Sequence, residues 1–143
     1  MKAKDVMKSD HLWACSTTTD ARQASILMTR HDVGCLPVLD DQGRLEGIIT
    51  DRDIVIRVLA QGLSFETPVR EVMSKPVHTI HPFADIREVE SMMEQFKVRR
   101  LPVVDENYRL QGIISISDLA RKYHGFLKEH RLAEVLEYVS TPS

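Results

Sequence analysis

The chain repeats itself, so any fold it adopts has to be built from two copies of one small unit. The segment VGCLPVLD at 33–40 returns as VRRLPVVD at 98–105, and LEGIIT at 45–50 returns as LQGIIS at 110–115. Both pairs stand 65 residues apart, the spacing of Pro37 and Pro102. The same spacing relates Met28 to Met93 and Asp53-Ile54 to Asp118-Leu119. Nearer the start, Asp5-Val6-Met7 answers Glu71-Val72-Met73 at a spacing of 66, one residue being absorbed in the first loop. A unit this small buries only about 60% of its unfolded surface and is marginal alone. Two copies packed about a pseudo-two-fold axis solve that problem, as equivalent surfaces do in an isologous dimer. A cleft on such an axis is lined twice, once by each repeat.

One unit reads as follows. A short helical turn ends in Val-Met. An extended stretch comes next, Leu12 to Ser16 in the first copy and Val77 to Ile80 in the second. An amphipathic helix follows, with Ile86, Val89, Met93 and Phe96 at helical spacing, matched by Ala21, Ala24, Leu27 and Met28. Asp20 and Asp85 are placed to cap these helices. Leu36 to Leu39 and Leu101 to Val104 are short strands whose prolines favour an edge or a strand start. Asp40 to Gly43 and Asp105 to Tyr108 are turns, leading to second strands at 45–50 and 110–115. A helix then starts at Asp51 or Ile116, the first running toward a stop at Gln61-Gly62. The fold class is therefore α+β: two βαββα repeats, sheets packed together with helices outside, plus an extra C-terminal helix. The boundaries expected are 1–64, 65–124 and a tail at 125–143. In the tail, Leu132, Val135, Leu136 and Val139 form an apolar stripe with no counterpart after the first repeat. That stripe either covers the chain's own surface or pairs with a second chain.

Composition excludes several functions. Nineteen Lys+Arg against 21 Asp+Glu give a net charge of -2, with no basic excess to suggest nucleic-acid binding. No apolar run is long enough to cross a bilayer, and the first residues lack the apolar core of a signal peptide. A cytoplasmic location is the expectation. Cys15 and Cys35 form no C-x-x-C pair, and the six histidines show no H-x-x-x-H spacing, so no metal site is expected. There is no G-x-S-x-G, P-loop or G-x-G-x-x-G, and no catalytic residue is assigned.

The candidate chemistry lies where the second strand of each copy meets its helix. Thr50-Asp51-Arg52-Asp53 and Ser115-Ile116-Ser117-Asp118 both place a hydroxyl three residues before an aspartate. At a strand-to-helix junction, the hydroxyl and the first backbone N–H groups can meet a phosphate or ribose. The aspartate can accept from both hydroxyls of a ribose. The same spacing is also a capping box, in which the acidic residue bonds back to the cap N–H. Duplication does not decide between the two readings, since repeats copy their caps.

Residues 33–53 and 98–118 resemble the signature of the CBS domain, the small motif named after cystathionine β-synthase. The shared pattern is a helix, an apolar-Pro-Val-hydrophobic-Asp strand, a turn, a Gly-hydrophobic-hydrophobic-Thr/Ser strand, and an Asp three residues on. The resemblance covers residues 3 to 123. It implies that the tandem pair forms a disc-like Bateman module, with clefts for adenosyl ligands such as AMP, ADP, ATP or S-adenosylmethionine, and that two such modules pair into a homodimer. Carried over, Asp53 and Asp118 correspond to ribose-binding aspartates, and Thr50 and Ser115 to the hydroxyls near ribose and phosphate. Cys15-Ser16 and Thr79-Ile80 lie in segments whose backbone meets the adenine edge. Leu36-Pro37 and Leu101-Pro102 correspond to the wall behind the base. Arg52 in the first copy and Arg99 and Arg100 in the second are cations that favour phosphorylated ligands.

The expected function is a non-catalytic sensor with no obligatory cofactor, acting on an unidentified effector protein. The rival is a structural interaction module with vestigial clefts, working through its C-terminal helix. A third reading is a redox or metal-responsive protein using Cys15, Cys35 and histidines, against the cysteines' simpler role as small buried hydrophobes. His78 and His81 flank a ligand-contact strand and either tune affinity with pH or are loop residues. Trp13 packs on the surface or at a dimer contact, and Lys97 with its arginine neighbours forms a solvated cluster in the plainest reading.

Overall fold

The computed structural model describes residues 1–75 and 78–122. The expected tail helix, and the Val77 start of the second extended stretch, lie outside the described residues. The elements in chain order are α1 (Ala3–Val6), β1 (Cys15–Ser16), α2 (Ala21–His31), β2 (Cys35–Leu39), β3 (Leu45–Thr50), α3 (Asp51–Asp53), α4 (Ile86–Phe96), β4 (Arg100–Val104), β5 (Leu110–Ser115) and α5 (Ile116–Lys122). A π-helix, Ile54–Leu59, continues α3, and a 3-10 turn covers Val69–Glu71.

Packing groups the chain in a way the repeat boundaries do not. One compact unit joins Met1–Leu12 to the residues from His78 onward; the other is Trp13–Val77. Ala3 and Val6 sit in one core with Ile80, Val89, Met93, Leu101, Ile114 and Leu119. Val69, Val72 and Met73 sit in the other with Cys15, Ala24, Met28, Leu36, Ile49 and Val58. The opening segment of each repeat thus completes the core of the other repeat's unit, and does so in equivalent ways. Lys8 bridges Ile113 in one unit as Ser74 bridges Ile48 in the other, and Lys2 bridges Asp85 as Pro68 bridges Asp20.

A repeated glycine makes this crossing feasible. A Cβ on Gly112 would lie 2.8 Å from the Lys8 carbonyl oxygen and 2.8 Å from the Met7 sulfur. A Cβ on Gly47 would lie 3.0 Å from the Ser74 carbonyl oxygen and 2.5 Å from the Met73 sulfur. A side chain at either position would force the crossing segment to shift.

Within each unit the hairpin is the same. β2 pairs antiparallel with β3, and β4 with β5, each with a shift in register near the turn. Asp40 accepts from the amides of Gln42 and Arg44, and Asp105 from those of Asn107 and Arg109. The helix caps are as the sequence indicates: Asp20 accepts from the Gln23 amide and Asp85 from the Arg87 amide. Asp32 and Lys97 end α2 and α4 in the left-handed region.

The prolines do not mark edges. β2 is the middle strand of the order β1-β2-β3, with Pro37 at its centre. The reason lies in the short parallel pairing. Ile80 donates to the Pro102 carbonyl and Val104 to the Ile80 carbonyl. The next rung would need an N–H at position 102, which proline lacks. Cys15 pairs with Val38 in the same register, so Pro37 ends that ladder too. The extended stretch expected over Leu12 to Ser16 is therefore a strand only at Cys15–Ser16, and its counterpart is a single bridge at Ile80.

Candidate functional site

Both Thr/Ser-x-x-Asp motifs sit at the strand-to-helix junction, and both are capping boxes. The Asp53 amide donates to Thr50 Oγ1 at 3.0 Å while Asp53 Oδ2 accepts from the Thr50 amide at 3.0 Å. The Asp118 amide donates to Ser115 Oγ at 3.1 Å while Asp118 Oδ2 accepts from the Ser115 amide at 2.9 Å. The carboxylates are 9% and 6% exposed. Each cap faces a strand start: Thr50 is opposite Cys35, and Ser115 is opposite Arg100.

The remaining carboxylate oxygens differ. Asp53 Oδ1 lies 3.3 Å from the Ser74 hydroxyl, which is equally far from Oδ2, and 3.9 Å from Arg57 Nε. Both are loose contacts by hydrogen-bond standards. Arg57 is engaged elsewhere, its Nη1 donating to the carbonyls of Val72 and Met73 at 3.1 Å. Asp118 Oδ1 instead takes Arg121 Nη2 in a close ion pair of 2.6 Å. Position 121 corresponds to Ile56 in the first copy, so the repeat comparison alone contained this difference.

The other candidate residues fall into three groups. Leu36, Pro37, Leu101 and Pro102 are buried, the two leucines wholly so. Cys15 and Ile80 are buried on the parallel rung, while Thr79 is half-buried. Ser16 is exposed, with its hydroxyl 3.0 Å from that of Thr18. Arg52, Arg99 and Arg100 are exposed. In each unit the register brings the capped aspartate to the sheet end where the first hairpin strand starts, and the parallel rung lies three residues further along that strand.

One feature of that sheet end was missed in the sequence. The Trp13 ring stacks on His31, centroids 3.5 Å apart and planes within 9°, and His78 stacks on Phe96 at 3.8 Å and 12°. These are equivalent positions, with the imidazole on the opposite member of each pair. The signal was present as two paired substitutions at a spacing of 65, Trp13/His78 and His31/Phe96.

The cysteines do not form a pair. Cys15 is level with Val38 on β2, three residues along from Cys35. Strand geometry then puts the two Cα atoms roughly 11 Å apart, beyond disulfide reach. Burial pushes the Cys15 thiol up to about 11, away from the range of a reactive thiolate. Among the described residues no group of three or more His, Cys, Asp or Glu is placed to hold a metal ion. Among the same residues no helix is long and apolar enough to cross a membrane.

Two small α+β units, each with a capped acidic motif at one sheet end, define a tandem repeat protein of a particular kind. A family profile described as the CBS domain matches residues 3–60 and again 69–125. The chain belongs to the CBS domain family, with two copies in tandem. It is 41% identical over 117 residues to the CBS domain-containing protein YhcV of Bacillus subtilis, covering 82% of this chain and 81% of that one. Hypoxic response protein 1 of Mycobacterium tuberculosis is 38% identical over 120 residues, 83% of this chain and 80% of that one. A crystal structure of hypoxic response protein I with two coordinated zinc ions aligns with a TM-score of 0.76 at 37% identity, over 85% of this chain and 98% of that one. The CBS domain pair of protein MJ0100, solved with 5′-methylthioadenosine and S-adenosylmethionine, aligns with a TM-score of 0.73 at 28% identity, over 87% of this chain and 97% of that one.

Proposed function

We propose that the chain is a non-catalytic regulatory module that binds an adenosine-containing ligand and passes a conformational or oligomeric change to a separate effector. The observation that carries this reading is the duplicated capped aspartate. In each unit one carboxylate oxygen is committed to the backbone, which fixes the group. The other, Oδ1, has a side-chain partner that a ribose diol can replace. The adenosyl ligands of the MJ0100 pair, a relative of similar length, support the ligand class.

The two units would not take the same ligand. Asp53 meets a hydroxyl at 3.3 Å, and its neighbouring Arg57 is tied to backbone carbonyls. That environment suits an adenosyl group without phosphate, such as S-adenosylmethionine or 5′-methylthioadenosine. Asp118 carries Arg121, with Arg100 across from Ser115. A diol that displaces Arg121 from the carboxylate leaves a guanidinium beside the ribose, where a phosphate would meet it.

Thermal stability of the full chain with S-adenosylmethionine, 5′-methylthioadenosine, AMP and ATP tests this. A ligand at a hundred times its Kd adds about 2.7 kcal/mol. Asp53→Asn should abolish the shift with the first two compounds, and Asp118→Asn the shift with the second two. Absence of any shift with all four overturns the ligand reading and favours the interaction module. A shift that survives both substitutions together removes the site from these aspartates.

A further inference from the structure

We propose that the segment Val69–Ser74 reports what occupies Asp53: Ser74 and Arg57 tie that segment to the carboxylate, and a ligand that takes the carboxylate loosens it. The ligand half of this inference rests on the adenosyl reading above; the tie itself does not.

The carboxylate has one fixed oxygen and one that is shared. Asp53 Oδ2 holds the Thr50 amide at 3.0 Å and stays with its cap. The Ser74 hydroxyl lies 3.3 Å from both oxygens, and Arg57 Nε lies 3.9 Å from Oδ1. At these lengths neither contact resists a competing donor strongly. A ribose diol brings two hydroxyl donors, and the partners it displaces are Ser74 and Arg57, while the cap is kept.

Both displaced groups act on the same stretch of chain. Ser74 ends it, with its amide donating to the Ile48 carbonyl at 2.9 Å and its carbonyl accepting from the Ile48 amide at 3.3 Å. Arg57 holds it from the helix, with Nη1 donating at 3.1 Å to the carbonyls of Val72 and Met73. Those carbonyls follow the 3-10 turn Val69–Glu71, and basic side chains can cap the last carbonyls of a helical turn. Capping alone does not require a carboxylate beside the guanidinium. Here one arginine faces both the site and the segment, so the charge at Asp53 and the grip on the chain belong to one network. Arg57 lies in the π-helix Ile54–Leu59, a widened turn of the kind that recurs at functional positions. Val69, Val72 and Met73 are buried in the core of this unit, so a change in the grip reaches the core.

The second copy is the internal control. Its crossing segment bridges Lys8 to Ile113 as Ser74 bridges Ile48, but a lysine stands where the first site has its serine. The contacts of the Asp118 carboxylate with described residues run to the Ser115 amide and to Arg121 of its own helix. The fold therefore builds the same junction without the tie, and the tie is a property of the first site. Linkage fixes its sign. If the ligand loosens the segment by displacing the Ser74 hydroxyl, removing that hydroxyl tightens the ligand.

Hydrogen–deuterium exchange of the full-length protein, read by mass spectrometry over Val69–Ser74 and Asp5–Lys8, tests the proposal. In the ligand-free protein Asp53→Asn removes the charge and keeps an oxygen for the Thr50 amide. It should speed exchange over Val69–Ser74 roughly fivefold and leave Asp5–Lys8 unchanged, and Asp118→Asn should leave both segments unchanged. Arg57→Lys keeps the charge and the cap but loses the guanidinium; it should also speed exchange over Val69–Ser74, which guards against a folding defect at the cap. Adding 5′-methylthioadenosine to wild type should reproduce the Asp53→Asn result. Ser74→Ala should bind 5′-methylthioadenosine roughly threefold more tightly by calorimetry. Unchanged exchange over Val69–Ser74 in Asp53→Asn overturns the proposal, as does an equal response in both segments, which would mean general loosening. Weaker binding by Ser74→Ala would make the serine a ligand contact and overturns it too. If 5′-methylthioadenosine changes exchange nowhere in the protein, the ligand reading fails, and the ligand-free variants alone decide the tie.

Discussion

Asp53 and Asp118 each hold the amide of the residue three positions back, and that obligation limits how their function can be probed. Alanine removes the charge and the cap together. Losing a capping interaction costs about 1 kcal/mol, and here the aspartates are buried while Thr50 and Ser115 are half-buried. Asparagine keeps an oxygen for the Thr50 or Ser115 amide while removing the charge. We expect Asp53→Ala to lower the melting temperature of the ligand-free protein by about 3 to 5 °C, and Asp53→Asn to lower it by much less. Differential scanning calorimetry without nucleotide checks this; equal losses for the two variants would mean that the charge, and not the cap, stabilises the junction. The sequence showed both uses of this spacing and could not choose between them. The spacing that lets a carboxylate close a capping box is the spacing that lets it face a sugar, and one oxygen can do each.

At the scale of elements, the glycines at 47 and 112 carry more of the architecture than their hydrophobic neighbours do. Each lies under a crossing segment whose backbone comes within 3.0 Å of where a Cβ would be. The methionine sulfur can swing aside, but the carbonyl oxygens of Ser74 and Lys8 cannot, because they are bonded to the strand beneath: Ile48 donates to the Ser74 carbonyl and Ile113 to that of Lys8. Gly47→Ala and Gly112→Ala should each destabilise by about 1 to 3 kcal/mol, the usual range for overpacking. Urea denaturation would read this as a lower midpoint at unchanged slope. A substitution at either position that leaves the midpoint in place would mean that the crossing segment is loosely held. Hydrophobic pattern and turn residues made the strands, the hairpins and the helix caps legible. The π-helix was not, because Ile54–Leu59 is apolar on nearly every position and an extra residue in the turn leaves no trace in such a run. The brevity of β1 was not either, although its cause, a proline opposite, stood in the sequence; the proline signalled an edge and instead ended one side of a central strand.

For the whole molecule, the repeat and the folding unit are different segments of chain. Sequence comparison aligns copies, so it draws the boundary where similarity begins again, near residue 65. Packing draws it where cores close, at Trp13 and Val77. Nothing in one sequence distinguishes Val6 completing its own repeat's core from Val6 completing the other's, since the equivalent Val72 would serve either way. The difference is testable with fragments. Residues 13–77 contain every member of one core, Val69, Val72 and Met73 included. Residues 1–64 lack those three and carry Ala3 and Val6, whose partners lie beyond residue 78. Both fragments are near the size at which a lone core is marginal, so the missing side chains decide the outcome. Burying three such residues contributes about 4 to 6 kcal/mol at the usual transfer values, as much as a domain this small has in total. The 13–77 fragment should therefore unfold cooperatively and show dispersed amide resonances, and 1–64 should not. If 1–64 folds as well as 13–77, the opening segments are exchangeable. Each repeat could then close on itself, and the crossing would be a property of the tandem chain alone.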